Sequence, residues 1–207
     1  MLRFLEYSDC VYRIIGKESQ HCGAGNPPVS VYSDTFETAT GWTVNPGGTD
    51  TATSGTWERG DPEATASGGA KQLGTTVSGA NDLVTGRLAG TSAGDHDVDG
   101  GTTGIRSPAI TLPPGGSLKL GFSWYLAHAA NASSADFLRV KVVGSTTTQV
   151  FQQLGAAGNR NGSWAAAGVD ISAFAGQTVR ILVEVADAAG ASLVEAGIDD
   201  VKITQQL

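Results

Sequence analysis

The chain has 207 residues, with 29 glycines, 7 prolines, 40% hydrophobic residues and a net charge of −7 from 13 basic and 20 acidic side chains. That length suits one β domain with an appendage, large enough to build a core without help from a metal or disulfide. The acidity argues against a nucleic-acid or anionic-membrane partner, and no apolar run approaches the roughly 18 residues that a membrane span needs.

Residues 1–22 read as a short helical segment. Phe4, Val11, Ile14 and Ile15 recur near one helical face with Tyr7 close by, while Arg3, Glu6, Asp9, Arg13 and Lys17 lie mostly elsewhere. Gly16 is a stop signal. A helix this short is marginal alone and must lay its apolar face on a neighbour. Cys10 and Cys22 are the only cysteines and form no CxxC motif. An even pair of this kind predicts a disulfide rather than a zinc site, with a redox thiol as the alternative. Such a cross-link stabilises by roughly 3 kcal/mol in the chain-entropy model. Met1 is followed by neither a basic flank nor an apolar signal core, so a secreted protein would carry its signal upstream of it.

Residues 23–30, GAGNPPVS, form a linker whose paired prolines make an extended spacer, and residues 31–207 form the β domain. Strand signals follow: SLKLGFSWYLAH, DFLRVKVVG, TTQVFQQL, QTVRILVEVAD and GIDDVKIT. In DFLRVKVV, Leu138, Val140 and Val142 alternate with Arg139 and Lys141; Val179, Ile181, Val183 and Val185 repeat the pattern. Period-two alternation marks antiparallel sheets with one wet face. Many short strands, glycine-rich turns and no internal repeat predict an all-β fold, an antiparallel β-sandwich or jelly roll.

Acidic pairs are the main candidates for chemistry. Asp34 and Glu37 fall on the first predicted strand and Asp199 and Asp200 on the last, and these strands are commonly neighbours in a jelly roll. Crowded carboxylates need a cation, hydrogen bonds or water, and calcium takes hard oxygens of this kind. In DHDVDGG, Asp95, Asp97 and Asp99 match the opening of an EF-hand loop, but Arg106 stands where the bidentate Glu belongs. A calcium loop of another kind through Asp97 and Asp99, or a polar turn, remains. Asp136 could approach either acidic group. Among the aromatics, Trp124 alternates with Phe122 and Leu126 toward the core, which leaves Tyr125 facing outward. Tyr125 and Trp57 are the candidate ligand-binding residues if a sugar platform exists; core packing is the alternative.

No catalytic constellation is expected. His21, His96 and His128 are the only histidines and none sits in an HxxE pair; neither a phosphate-binding GxxxxGK[ST] loop nor a nucleophile elbow is expected.

Two resemblances sharpen this reading. LRFLEYSDCVYRIIGKESQHC is similar to the closing helix of secreted actinobacterial zinc carboxypeptidases, just before their β-rich extension. SDTFETATGWTV, GTWERGDPE, GIRSPAITLPPGG, SAFAGQTVRI and LVEAGIDDVKIT, in that order, resemble the calcium-dependent jelly rolls of MAM domains, cleaved-adhesin modules and peptidase extensions. These resemblances imply a secreted, non-catalytic accessory domain with structural calcium and no zinc, with a carbohydrate-binding module or an adhesion module as the alternative. Its implied partners are the preceding catalytic domain and extracellular protein or polysaccharide. They also imply calcium framed by the DTFE and IDDV phrases.

Overall fold

The computed structural model describes residues 26–207; the helical segment, Cys10 and Cys22 lie outside the described residues. Twelve strands follow in chain order: β1 (Val29–Asp34), β2 (Thr43–Val44), β3 (Trp57–Gly60), β4 (Asp82–Thr85), β5 (Gly101–Arg106) and β6 (Ile110–Thr111). The second half contributes β7 (Ser117–His128), β8 (Phe137–Val143), β9 (Thr147–Leu154), β10 (Ala165–Asp170), β11 (Thr178–Asp187) and β12 (Val194–Gln206). One 3-10 turn, Ser172–Phe174, is the helical element among the described residues. No helix among them is long and apolar enough to cross a membrane.

The strands form two six-stranded sheets. Sheet I runs β10-β7-β12-β4-β3, with β1 also on β12; sheet II runs β2-β5-β11-β8-β9, with β6 on β11. Every pairing is antiparallel, as the alternation requires. Leu118, Leu120, Phe122 and Leu126 of β7 and Ala196, Ile198, Val201 and Ile203 of β12 meet Leu138, Val140, Val142, Val179, Ile181, Val183 and Val185 of sheet II in one core. The antiparallel sandwich expected from the sequence is therefore the observed fold.

Two irregularities position the acidic residues. The register between β12 and β7 shifts between Asp199 and Lys202, where Asp200 has φ 51°. This bulge inserts a residue, so both Asp199 and Lys202 face outward while Ile198 and Val201 stay in the core. Between β3 and β4, residues 61–81 fold over the outer face of sheet I. Gln72 Nε2 donates to the Glu63 and Arg87 carbonyls, and the Thr65 hydroxyl reaches Glu195 on β12.

That cover corrects the expectation for the aromatics. Tyr125 is on the outward side of β7, as the alternation predicts, yet it is only 1% exposed. Its ring lies over Gly197, directly opposite in register, where a Cβ would come within 2.3 Å of the ring edge. Trp164 packs edge-on against it at 4.9 Å between centroids. Trp57 is likewise 1% exposed and belongs to the core. Neither Tyr125 nor Trp57 offers a ring face to a ligand. Trp124 turns inward and packs on Phe151.

Candidate functional site

The end of β1 does lie beside β12, with Asp34 opposite Val201. The acidic side chains do not converge there, however. Asp34 is enclosed by donors: the Phe36 amide on Oδ1, and the Tyr32 hydroxyl, Thr40 hydroxyl and Trp42 indole N–H on Oδ2. This cap holds Phe36 at φ 58° and packs it on Trp42. Asp34 is a structural hub whose lone pairs are spent on the protein itself.

Glu37, Asp199 and Asp200 instead grip one short stretch, residues 77–81. Glu37 Oε1 accepts the Ala80 and Asn81 amides, at 3.0 and 2.8 Å, which holds its carboxyl below the usual range. Asp199 Oδ2 accepts the Val77 and Ser78 amides, and Asp200 Oδ1 accepts the Ser78 hydroxyl at 2.6 Å. The sequence-derived pairs thus gather around a common loop, three of the four together and Asp34 apart.

Immediately after that loop stands a residue that sequence reasoning missed. Asp82 opens β4, is 0% exposed, and neither carboxylate oxygen accepts a hydrogen bond from another residue. The register Leu83–Ile198 and Val84–Gly197 brings Asp82 across from Asp199, which is also 0% exposed. Burial first, and then the Asp199 charge, push the Asp82 carboxyl up to about 8; burial raises Asp199 as well. A buried, unpartnered carboxyl must take a proton or a cation. Among the described residues no three acidic, histidine or cysteine side chains form a ready metal cage. What the fold presents is a pair: two buried carboxylates face to face, with a loop clasped by Asp199 on one side. Asp199 spends Oδ2 on the Val77 and Ser78 amides and Oδ1 on the Asp200 amide, so Asp82 is the member of the pair whose oxygens have no donor.

The DHDVDGG segment forms a second acidic group. Asp97 is 3% exposed, accepts the Val194 amide at 3.1 Å, and is pushed up to about 7 by burial and then by Asp99. Asp187, raised mainly by burial, also feels Asp136 and Asp99. Asp136 is held by the Ser133 and Ala188 amides, and Asp187 by the Ser192 amide and hydroxyl. These carboxylates pin loops at one end of the sandwich. The Asp99 carbonyl takes the Thr53 amide in the same role.

The letters of a nucleophile elbow do occur, at Gly90-Thr91-Ser92-Ala93-Gly94, against the expectation that none would. They lie in an exposed loop, not at a strand-to-helix turn. The Ser92 hydroxyl donates straight to Asp95 at 2.7 Å, with no imidazole between them to take its proton. His128 is buried, with Nδ1 beside the Ala129 carbonyl.

No protein-family model matches the chain, and no curated protein does either. Solved structures do resemble it. The K1 cleaved adhesin domain of Lys-gingipain from Porphyromonas gingivalis W83 is 18% identical with a TM-score of 0.52, covering 85% of this chain and 98% of that one. The K3 cleaved adhesin domain of the same protein is 19% identical with a TM-score of 0.49, covering 86% and 99%. The CBM22-1 xylan-binding domain of Paenibacillus barcinonensis Xyn10C is 14% identical with a TM-score of 0.44, covering 86% and 96%. At this identity the likeness to the K1 domain establishes a shared jelly-roll architecture.

Proposed function

We propose that this chain is a non-catalytic, extracellular accessory domain stabilised by calcium. The observation that carries the reading is the buried Asp82–Asp199 pair, in which Asp82 has both oxygens unpartnered. Calcium held by these two carboxylates would neutralise the pair and lock residues 77–81 onto sheet I through the Asp199 contacts. The other buried or capped carboxylates support an accessory role: Asp34, Asp136 and Asp187 are each engaged by amide or hydroxyl donors that fix loops. Side chains consumed in this way make a rigid scaffold, not a set of acids and bases free to exchange protons.

The domain is proposed to follow the catalytic domain of a secreted zinc carboxypeptidase, from the resemblance of residues 1–22 to that enzyme's closing helix. Its role there is to stabilise the enzyme outside the cell or to hold it near polymeric substrate. Thermal melts in EDTA, followed by addition of millimolar calcium, test the reading. A native-state ligand at a hundredfold its dissociation constant stabilises by about 2.7 kcal/mol. The expected result is a reversible rise in Tm that is absent in Asp82→Asn and Asp199→Asn. An identical melt in both conditions, with no metal in the purified protein, would refute it.

A further inference from the structure

The outer face of sheet I carries a second feature, next to the carboxylate pair, with Ser123 opposite Asp199 at its edge. Where β10, β7 and β12 lie side by side, Gly168 is opposite Gly121, and Gly121 is opposite Lys202. Two glycines in one row remove the side chains that would fill the sheet surface. The result is a trough of about 570 Å³, flanked by Ala166 and Ser123 on β10 and β7 and walled by Pro28. That volume is within the roughly 300–1,000 Å³ of small-ligand sites.

Lysines line it. Lys119 lies against Gly168, where a Cβ would stand 2.4 Å from its Cε, and Lys202 lies against Gly121 at 3.3 Å. Both are exposed. The ion pairs among the described residues, Arg87–Glu58 and Lys141–Glu184, involve neither. Asp170 faces Lys119 in register, and its Oδ1 accepts the Ser172 amide and hydroxyl, with no ion pair to Lys119. Asp200 stands at the margin with the Ser78 hydroxyl on one oxygen. In a chain of net charge −7, two ammonium groups outside any ion pair among the described residues, their stems lying across the two glycine positions, are a local exception to the overall field.

We propose that this trough binds a uronic-acid residue of an extracellular polysaccharide, its carboxylate received by Lys119 and Lys202. The proposal rests on the accessory-domain reading and supplies that domain with a ligand class. Each ammonium offers donors to a carboxylate, and charge-assisted bonds of this kind are the stronger ones. The Lys119 and Lys202 stems that cross the glycine positions offer CH2 groups to the face of a sugar ring, and Ser123 and Thr204 line the trough within reach of its hydroxyls. A peptide fits less well. Backbone groups of the sheet point along the sheet plane, so a chain lying on the face would find no partners for its own amides.

Equilibrium binding of the full chain to polygalacturonate at low salt tests this, with neutral galactan and polyglutamate as comparisons. The expected result is binding to polygalacturonate, weakened about tenfold in each of Lys119→Gln and Lys202→Gln. Gly168→Ala, which keeps both charges but displaces the Lys119 stem, should weaken it too. Arg139→Gln on sheet II, a charge-matched control, should leave it unchanged. Undiminished binding in both lysine variants, or no binding by the wild type, overturns the proposal. Equal, lysine-dependent binding of polyglutamate overturns the saccharide assignment in favour of an acidic polypeptide. The calcium melts judge the accessory-domain reading separately, because neither lysine variant touches Asp82 or Asp199.

Discussion

Replacing Asp82 with asparagine removes a buried charge while keeping the side chain's shape, and its consequence can be worked out from the site. Burial, and then the Asp199 charge, push the Asp82 carboxyl of the folded protein up to about 8 from an ordinary 3.8. The folded state therefore holds a proton that the unfolded state has released, and stability falls as pH rises through this window. At about 1.4 kcal/mol per pH unit, the loss between pH 5 and pH 8 reaches about 4 kcal/mol at most from this residue. Asp97, pushed up to about 7, adds a loss of the same sign that is complete nearer neutrality. In EDTA, urea unfolding of the wild type should thus show declining stability from pH 5 to pH 8. Asp82→Asn should make the decline from pH 5 to pH 8 shallower, leave the contributions of Asp97 and of Glu195, whose burial raises it well above its usual value, and be the more stable protein at pH 8. Saturating calcium should restore the wild type at pH 8 and leave the variant unmoved. An unchanged slope in Asp82→Asn, or a wild type that gains stability toward pH 8 in EDTA, would refute the reasoning.

Other perturbations follow from the same contacts. Asp34→Ala strips the acceptor from two hydroxyls, an amide and the Trp42 indole, so a loss of about 2–4 kcal/mol is expected in urea unfolding, with Asp34→Asn milder. Gly197→Ala puts a methyl group 2.3 Å from the Tyr125 ring; a cost of about 1–3 kcal/mol is expected, smaller in a Tyr125→Leu background, which a double-mutant cycle would measure. Ser92→Ala should leave any hydrolytic background of the preparation unchanged in ester and peptide assays, because the Ser92 hydroxyl is bound directly to Asp95.

The strands with strict alternation were legible from sequence. SLKLGFSWYLAH coincides with β7, whose Leu118, Leu120, Phe122 and Leu126 point into the core, and TTQVFQQL with β9, whose Val150 and Phe151 pack against it while Leu154 stays exposed. β10 was not, since AAAGVD has almost no side-chain contrast between faces. Tyr125 was assigned to the correct face of its strand, yet exposure did not follow, because residues 61–81 cover that face and a long glycine-rich segment gives no sign of where it will lie. The adjacency of β1 and β12 follows from the jelly-roll reading, but the loop at residues 77–81 that Glu37, Asp199 and Asp200 grip does not, because it comes from a segment distant from both strands. Asp82 was overlooked because a lone carboxylate at the start of a strand ordinarily points to water. Its burial depends on its register opposite Asp199 and on the cover above, both of which come from residues distant in the chain. The trough was invisible for a related reason: Gly121 and Gly168 matter only because they are opposed.

The most direct test is a count of bound metal. The full chain, stripped with chelator, would be brought to dialysis equilibrium at pH 7.5 with millimolar calcium, and its calcium in excess of the dialysate measured by elemental mass spectrometry beside Asp82→Asn. The account predicts calcium bound by the wild type, with one equivalent fewer on the variant. Wild type without calcium, or equal occupancy in both proteins, would contradict it.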